Sequence, residues 1–160
     1  MKYIKRNVES TIIKGAKMFP AVLVTGARQV GKTTVLKHVT KDISYVTLDD
    51  PILLQSANEE SGSFFKTTPP PVMVDEIQYA PELFRYIKMI SDESGKRGQF
   101  YLTGSQQFKM MKNVSESLAG RIAIINLLGL SLREIKEDDF NEVFIPSEDF
   151  INKRSLSAIE

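Results

Sequence analysis

The chain contains no cysteine. That excludes disulfides and thiolate metal sites, and it suits a reducing cytoplasm, which is the expected location. Charge of neither sign prevails. Lys and Arg total 21 against 20 Asp and Glu, for a net charge of +1, so no global field steers the protein toward nucleic acid. The N-terminus has no apolar signal-peptide core, and no run is long and apolar enough to span a bilayer. Internal repeats and low-complexity tracts are also missing.

What remains is an ordinary globular composition. The 160 residues are 42% hydrophobic and 26% charged, enough for one domain with a sizeable core. Lys2, Lys5, Arg6, Lys14 and Lys17 crowd one end, and Glu137, Asp138, Asp139, Glu142, Glu148 and Asp149 the other. Solvated faces account for both groups.

One segment departs from the ordinary. Gly26-Ala27-Arg28-Gln29-Val30-Gly31-Lys32-Thr33-Thr34 matches the phosphate-loop pattern G-x-x-x-x-G-K-[ST] in full. A chance match in a chain of this length is on the order of one in a few hundred. The flanks supply the context the pattern needs. Phe19 to Thr25 is a short apolar run suited to a buried strand. Val35, Leu36 and Val39 give the following segment the apolar face of a helix packed on a sheet.

Each loop position has a chemical reason. Gly26 and Gly31 permit backbone conformations that a Cβ would obstruct, so that the loop's N–H groups converge on phosphate oxygens. The helix beginning near Lys32 adds its positive end. Lys32 would face the β- and γ-phosphates, and Thr33 would offer its hydroxyl to Mg²⁺. Thr34 either meets the α-phosphate or simply starts the helix, and Arg28 is expected to be solvated.

Along the chain, Ile4, Val8, Ile12, Ala16 and Phe19 recur at helical spacing ahead of the first strand. Ile43 to Leu48 reads as a second strand. Asp50-Pro51 reads as an N-cap with proline at the first helical position. Glu59 to Thr68 is expected to be loop, with Phe64 and Phe65 tucked onto the core. Val72 to Glu76, Gln99 to Thr103 and Arg121 to Leu127 read as further strands. A helix follows Pro81, and a short helical stretch runs through Met110, Met111 and Leu118. Ser131-Leu132-Arg133-Glu134 is a capping box. Strands alternating with helical patterns predict an α/β fold with a parallel five-stranded sheet flanked by helices.

The third strand ends in Asp75-Glu76. Carboxylates at the C-terminal end of a parallel strand point into the crevice where ligands bind. Asp75 is placed to hold Mg²⁺, and Glu76 to orient and polarise an attacking water. Asp followed by Glu suggests the ATP-hydrolysing branch of the P-loop NTPases, whose usual strand order is 5-1-4-3-2. Ser105, just past the fourth strand, is either a γ-phosphate sensor or a loop serine, with Thr103 the next choice for that role. Arg121 is either an arginine finger, acting in cis or across a subunit interface, or a surface arginine. His38, the single histidine, is expected on the outward face of its helix. No Asn/Thr-Lys-x-Asp guanine-reading motif is present, which favours adenine.

Thr25 to Thr34, Val74-Asp75-Glu76-Ile77-Gln78, Leu102-Thr103-Gly104-Ser105-Gln106 and Leu118-Ala119-Gly120-Arg121 together resemble one prokaryotic group. These are the predicted ATPases of the AAA superfamily that usually carry a C-terminal domain of unknown function. The resemblance covers about the first 135 residues. It implies a P-loop ATPase core, with its N-terminal helix, over 1–135, binding ATP or ADP with Mg²⁺ and hydrolysing ATP. Residues 136–160 would be the start of a truncated C-terminal region or a tail, with Ser147 to Glu160 expected to be poorly ordered. A homo-oligomer or a protein partner is compatible with this reading, which implies no particular substrate. Two alternatives are a nucleotide switch that does not hydrolyse and a small-molecule phosphotransferase. The latter ranks last because Gln106 to Gly120 carries no arginine for a lid.

Overall fold

The computed structural model describes residues 2–105, 114, 117–137 and 147–156. These form two compact units, Val8–Gly129 and a second that joins Met1–Asn7 to Leu130–Glu160.

The larger unit begins with α1 (Glu9–Met18), β1 (Ala21–Gly26) and α2 (Lys32–Val39). Next come β2 (Ser44–Thr47), α3 (Pro51–Glu59), α4 (Ser61–Thr67) and β3 (Val72–Asp75). A 3₁₀ turn (Ile77–Tyr79), α5 (Leu83–Ser94), β4 (Phe100–Ser105) and β5 (Ile122–Asn126) complete it. All strand pairs are parallel. The sheet order is β2-β3-β4-β1-β5, which is the expected 5-1-4-3-2 read from the other edge.

The strand period of two sorts side chains onto the two faces. Ala21 and Leu23 of β1, Val72 and Val74 of β3, and Phe100 and Leu102 of β4 join one buried cluster with Phe64, Leu83, Phe84 and Ile87. Val22, Val24 and Met73 point the other way, against Ile12, Val35 and Leu36. Helices α3, α4 and α5 therefore cover one face, and α1 and α2 the other. Every residue of β1 is buried, as a central strand covered on both faces requires. Asp50 caps α3 as expected, its carboxylate accepting from the N–H groups of Ile52 at 2.8 Å and Leu53 at 3.2 Å.

Two segments expected to lack regular structure are helical. Residues 61–67 form α4 rather than loop. Burial decides this: Phe64 and Phe65 are buried, and Phe65 packs edge-on against both Phe64 and Phe100, with ring centroids 5.3 Å apart in each pair. Such pairs add about 0.5–1.5 kcal/mol each beyond burial, which a seven-residue segment cannot supply from propensity. Glu148–Leu156 is also a helix, with Glu148 and Asp149 in its first turn and Lys153 and Arg154 in its last. That order of charge complements the helix dipole. The helical stretch expected around Met110 and Met111 lies outside the described residues, although Val114 and Leu118 are buried in the first cluster. No described helix is long and apolar enough to cross a membrane.

In the smaller unit, the capping box forms as the sequence predicts. The Glu134 N–H donates to Ser131 Oγ at 3.2 Å, and the Ser131 N–H donates to Glu134 Oε2 at 2.8 Å. Glu134 also accepts from the Asn7 N–H at 2.9 Å and from Arg6 Nε at 3.1 Å. This explains why the first helix starts at Glu9 rather than near Ile4: residues 6 and 7 are tied to Glu134 instead. Desolvation raises the Glu134 pKa. Hydrogen bonds from the Ser131 and Asn7 backbones, Arg6 and the Ser131 hydroxyl outweigh that and hold it at about 2.

A depressed carboxylate pKa stabilises the fold above the unfolded value, 4.5 for Glu134, and loses that contribution as pH falls through the folded value. A carboxyl-detected NMR titration should therefore show Glu134 with a midpoint of about 2, shifted upward in Arg6→Ala. A midpoint near 4.5 in the unaltered chain would contradict this pairing.

Candidate functional site

The loop between β1 and α2 is built from unusual backbone angles. Gly26 has φ 150°, Gln29 φ 63° and Gly31 φ 92°. Backbone turned this way lets successive N–H groups face one concavity. Gly31 is the N-cap of α2, so the helix's positive end opens onto the same concavity. Gly26 is required for a second reason, because a Cβ there would stand 2.3 Å from the Leu127 carbonyl oxygen.

Lys32 is only 6% exposed. Its ammonium donates to the carbonyl oxygens of Gly26 at 3.2 Å and Ala27 at 2.9 Å, which fixes the cation inside the loop. Arg28 is exposed, as expected, as are Ala27, Gln29 and Thr34; Val30 is half-buried. Thr33 points to β3, where its hydroxyl donates to Asp75 Oδ1 at 2.8 Å.

Asp75 is buried, at 7% exposure, and a buried carboxylate must be paired or hydrogen-bonded. Three hydroxyls from three elements satisfy it. Thr33 of α2 and Thr103 of β4 donate to Oδ1, and Tyr45 of β2 donates to Oδ2 at 3.1 Å. Burial raises the Tyr45 pKa, and the Asp75 charge adds to that shift.

Glu76 follows in a left-handed conformation, φ 58° and ψ 45°. For a non-glycine residue this costs on the order of 1–3 kcal/mol. Its N–H donates to Thr103 Oγ1 at 3.1 Å, so Thr103 holds both members of the acidic pair. The Glu76 carboxylate accepts from the Gln78 amide, and Gln78 Oε1 accepts from the Ser105 N–H at 3.3 Å. Ser105 lies beside Gly26 in the β1–β4 register. The structure therefore brings Gly26, Lys32, Thr33, Asp75, Glu76 and Ser105 to one end of the sheet. A cleft of about 410 Å³ opens there, lined by Arg28, Gln29, Gly31, Lys32, Thr33, Thr34, Asp49 and Glu76.

Arg121 is not among them. Its carbonyl accepts from the Ala21 N–H at the start of β1, so it lies at the opposite end of the sheet, roughly 17 Å away by strand rise. Its guanidinium grips Asp92 through Nε at 2.5 Å and Nη2 at 3.1 Å. That pairing lowers the Asp92 pKa and raises that of Arg121. Arg121 does not reach the cleft of its own chain.

Three contributors escaped the sequence reading. Tyr45 figured only as a strand residue, Gln78 only as the end of a matching segment, and Asp49 not at all. Gln78 carried the most signal, since it stands two residues beyond Glu76.

Comparison with known proteins agrees with this geometry. A family profile described as AAA domain matches residues 18–136. The chain belongs to the AAA domain family. Uncharacterized proteins of Mycobacterium tuberculosis and Mycobacterium bovis are each 30% identical over 142 residues, covering 82% of this chain and 30% of theirs. An uncharacterized protein of Methanocaldococcus jannaschii is 25% identical over 169 aligned positions, covering 99% of this chain and 35% of its own. The chain thus spans about a third of the length of these relatives. Among solved structures, a signal transduction ATPase with numerous domains from Pyrococcus horikoshii, which carries a tetratricopeptide repeat sensor, aligns with a TM-score of 0.52 at 15% identity. The alignment covers 97% of this chain and 28% of that one. The fold is that of a P-loop NTPase, and the family supports nucleotide binding.

Replacing Gly26 with alanine should destabilise the protein by at least about 1–3 kcal/mol in urea unfolding, from backbone strain and the clash with Leu127. Gly129→Ala serves as the control, because nothing lies within 4 Å of a Cβ there; it should stay within about 0.5 kcal/mol. Equal effects of the two substitutions would contradict the geometry of the loop.

Proposed function

We propose that this domain binds Mg-ATP between the loop and the acidic pair, hydrolyses it, and couples nucleotide state to a partner or a further domain. The observation that carries the reading is the 2.8 Å hydrogen bond between Thr33 and Asp75. It joins two motifs 42 residues apart into one donor set. That set is all oxygen, a hydroxyl and a carboxylate, which suits a hard, well-hydrated cation such as Mg²⁺. Lys32 and the loop N–H groups suit the polyphosphate beside it.

Within this reading the residues divide the work. Thr33 and Asp75 would hold the metal, an oxygen-ligand pair of the kind Mg²⁺ prefers. Bound there, Mg²⁺ neutralises phosphate charge. Lys32, steadied by two loop carbonyls, faces the β- and γ-phosphates. Glu76 orients a water and takes its proton. Ser105, beside Gly26, senses the γ-phosphate, with Gln78 as its link to Glu76. Little more than positioning and charge stabilisation is asked of the protein.

A nucleotide switch with little turnover is the second reading. Two contacts favour it: the Glu76 carboxylate is taken up by Gln78, and Arg121 is engaged with Asp92. Arg121 could act on this site only from a neighbouring subunit, and the arginine that lines the cleft within the chain is Arg28.

Glu76→Gln should leave ATP affinity unchanged and slow single-turnover phosphate release by about 10²–10⁴-fold. Lys32→Ala should instead weaken binding itself, read by calorimetry. Undiminished hydrolysis in Glu76→Gln would remove Glu76 from the role of base. Absence of phosphate release from the unaltered chain, with binding intact, would favour the switch.

A further inference from the structure

Asp75 is held from a direction that the P-loop chemistry does not require. Thr33 and Thr103 both donate to Oδ1, whereas the Tyr45 hydroxyl donates to Oδ2 at 3.1 Å. Rotation of a carboxylate about its terminal bond is soft and roughly two-fold. Donors on a single oxygen leave that rotation loosely held; a donor on the second oxygen restrains it. Tyr45 stands on β2, two residues before Thr47, the register partner of Asp75, so its side chain reaches along the strand to the carboxylate.

The tyrosine ring is itself held. The Lys37 ammonium sits 3.5 Å from its centroid, a cation–π arrangement. Lys37 lies four residues after Thr33 on α2, hence on the same helix face. One face of α2 therefore grips Asp75 twice, directly through Thr33 and indirectly through Lys37 and Tyr45.

We propose that Tyr45 is a positioning residue for the metal-binding carboxylate, setting the orientation of Asp75 toward Mg²⁺, with Lys37 clamping the tyrosine ring. This inference rests on the Mg-nucleotide reading above. Tyr45 is not among the residues that line the cleft. Its loss should therefore change the metal dependence of nucleotide binding and leave metal-free binding alone. Groups that orient a metal ligand typically carry about 10–100-fold in metal affinity.

The test is fluorescent ADP binding to the full chain, in EDTA and across a Mg²⁺ titration, for wild type, Tyr45→Phe and Lys37→Met. Tyr45→Phe keeps the ring, its contact with Lys37 and the strand, and removes only the hydroxyl. The expected result is an unchanged affinity in EDTA and a Mg²⁺ half-saturation about 10-fold or more higher. Lys37→Met should shift it in the same direction by less. A Tyr45→Phe titration that superimposes on wild type overturns the role of Tyr45 while the site reading stands. A wild-type chain whose ADP affinity gains nothing from Mg²⁺ overturns both.

Discussion

The buried carboxylate of Asp75 is the constraint on which the arrangement depends. A charged group at 7% exposure is tolerated only with partners, and leaving such a group unsatisfied costs on the order of 1–3 kcal/mol or more. Its partners come from α2, β2 and β4. They meet because β4 lies between β1 and β3 in the sheet. Had β3 paired directly with β1, Thr103 would not stand beside Asp75, and the Glu76 N–H would lose its acceptor. Strand order, loop geometry and the acidic pair are one requirement seen three ways.

The same requirement explains the strained backbone. Glu76 takes a left-handed conformation directly after the strand, with its N–H tied to Thr103 and its carboxylate to Gln78. Gln78 in turn touches the end of β4 at Ser105, the register neighbour of Gly26. A change at the loop thus has a short, hydrogen-bonded route to Glu76.

What was legible in the sequence was local. The P-loop is nine consecutive residues, and its strand and helix flank it directly. Asp75-Glu76 stands out because three buried apolar residues, Val72 to Val74, precede it and then polarity switches abruptly. The capping box at Ser131 is a four-residue signal. The rest depended on contacts distant in sequence. Helix α4 exists because Phe64 and Phe65 find Phe100, which propensity cannot foresee. Tyr45 joins the site through strand register, 30 residues from Asp75. Arg121 drew attention by following Gly120, but a residue that precedes a parallel strand lies at the end of the sheet away from the loop. Its pairing with Asp92 follows from that topology.

The central claim, that loop and acidic pair form a single metal–nucleotide site, is tested most directly by paramagnetic relaxation. With ADP and Mn²⁺ in place of Mg²⁺, amide signals of residues 31–34 and of Asp75 and Glu76 should broaden together, and those of Asp92 and Arg121 should stay sharp. Broadening confined to one motif, or centred at the Arg121 end of the sheet, would contradict the account.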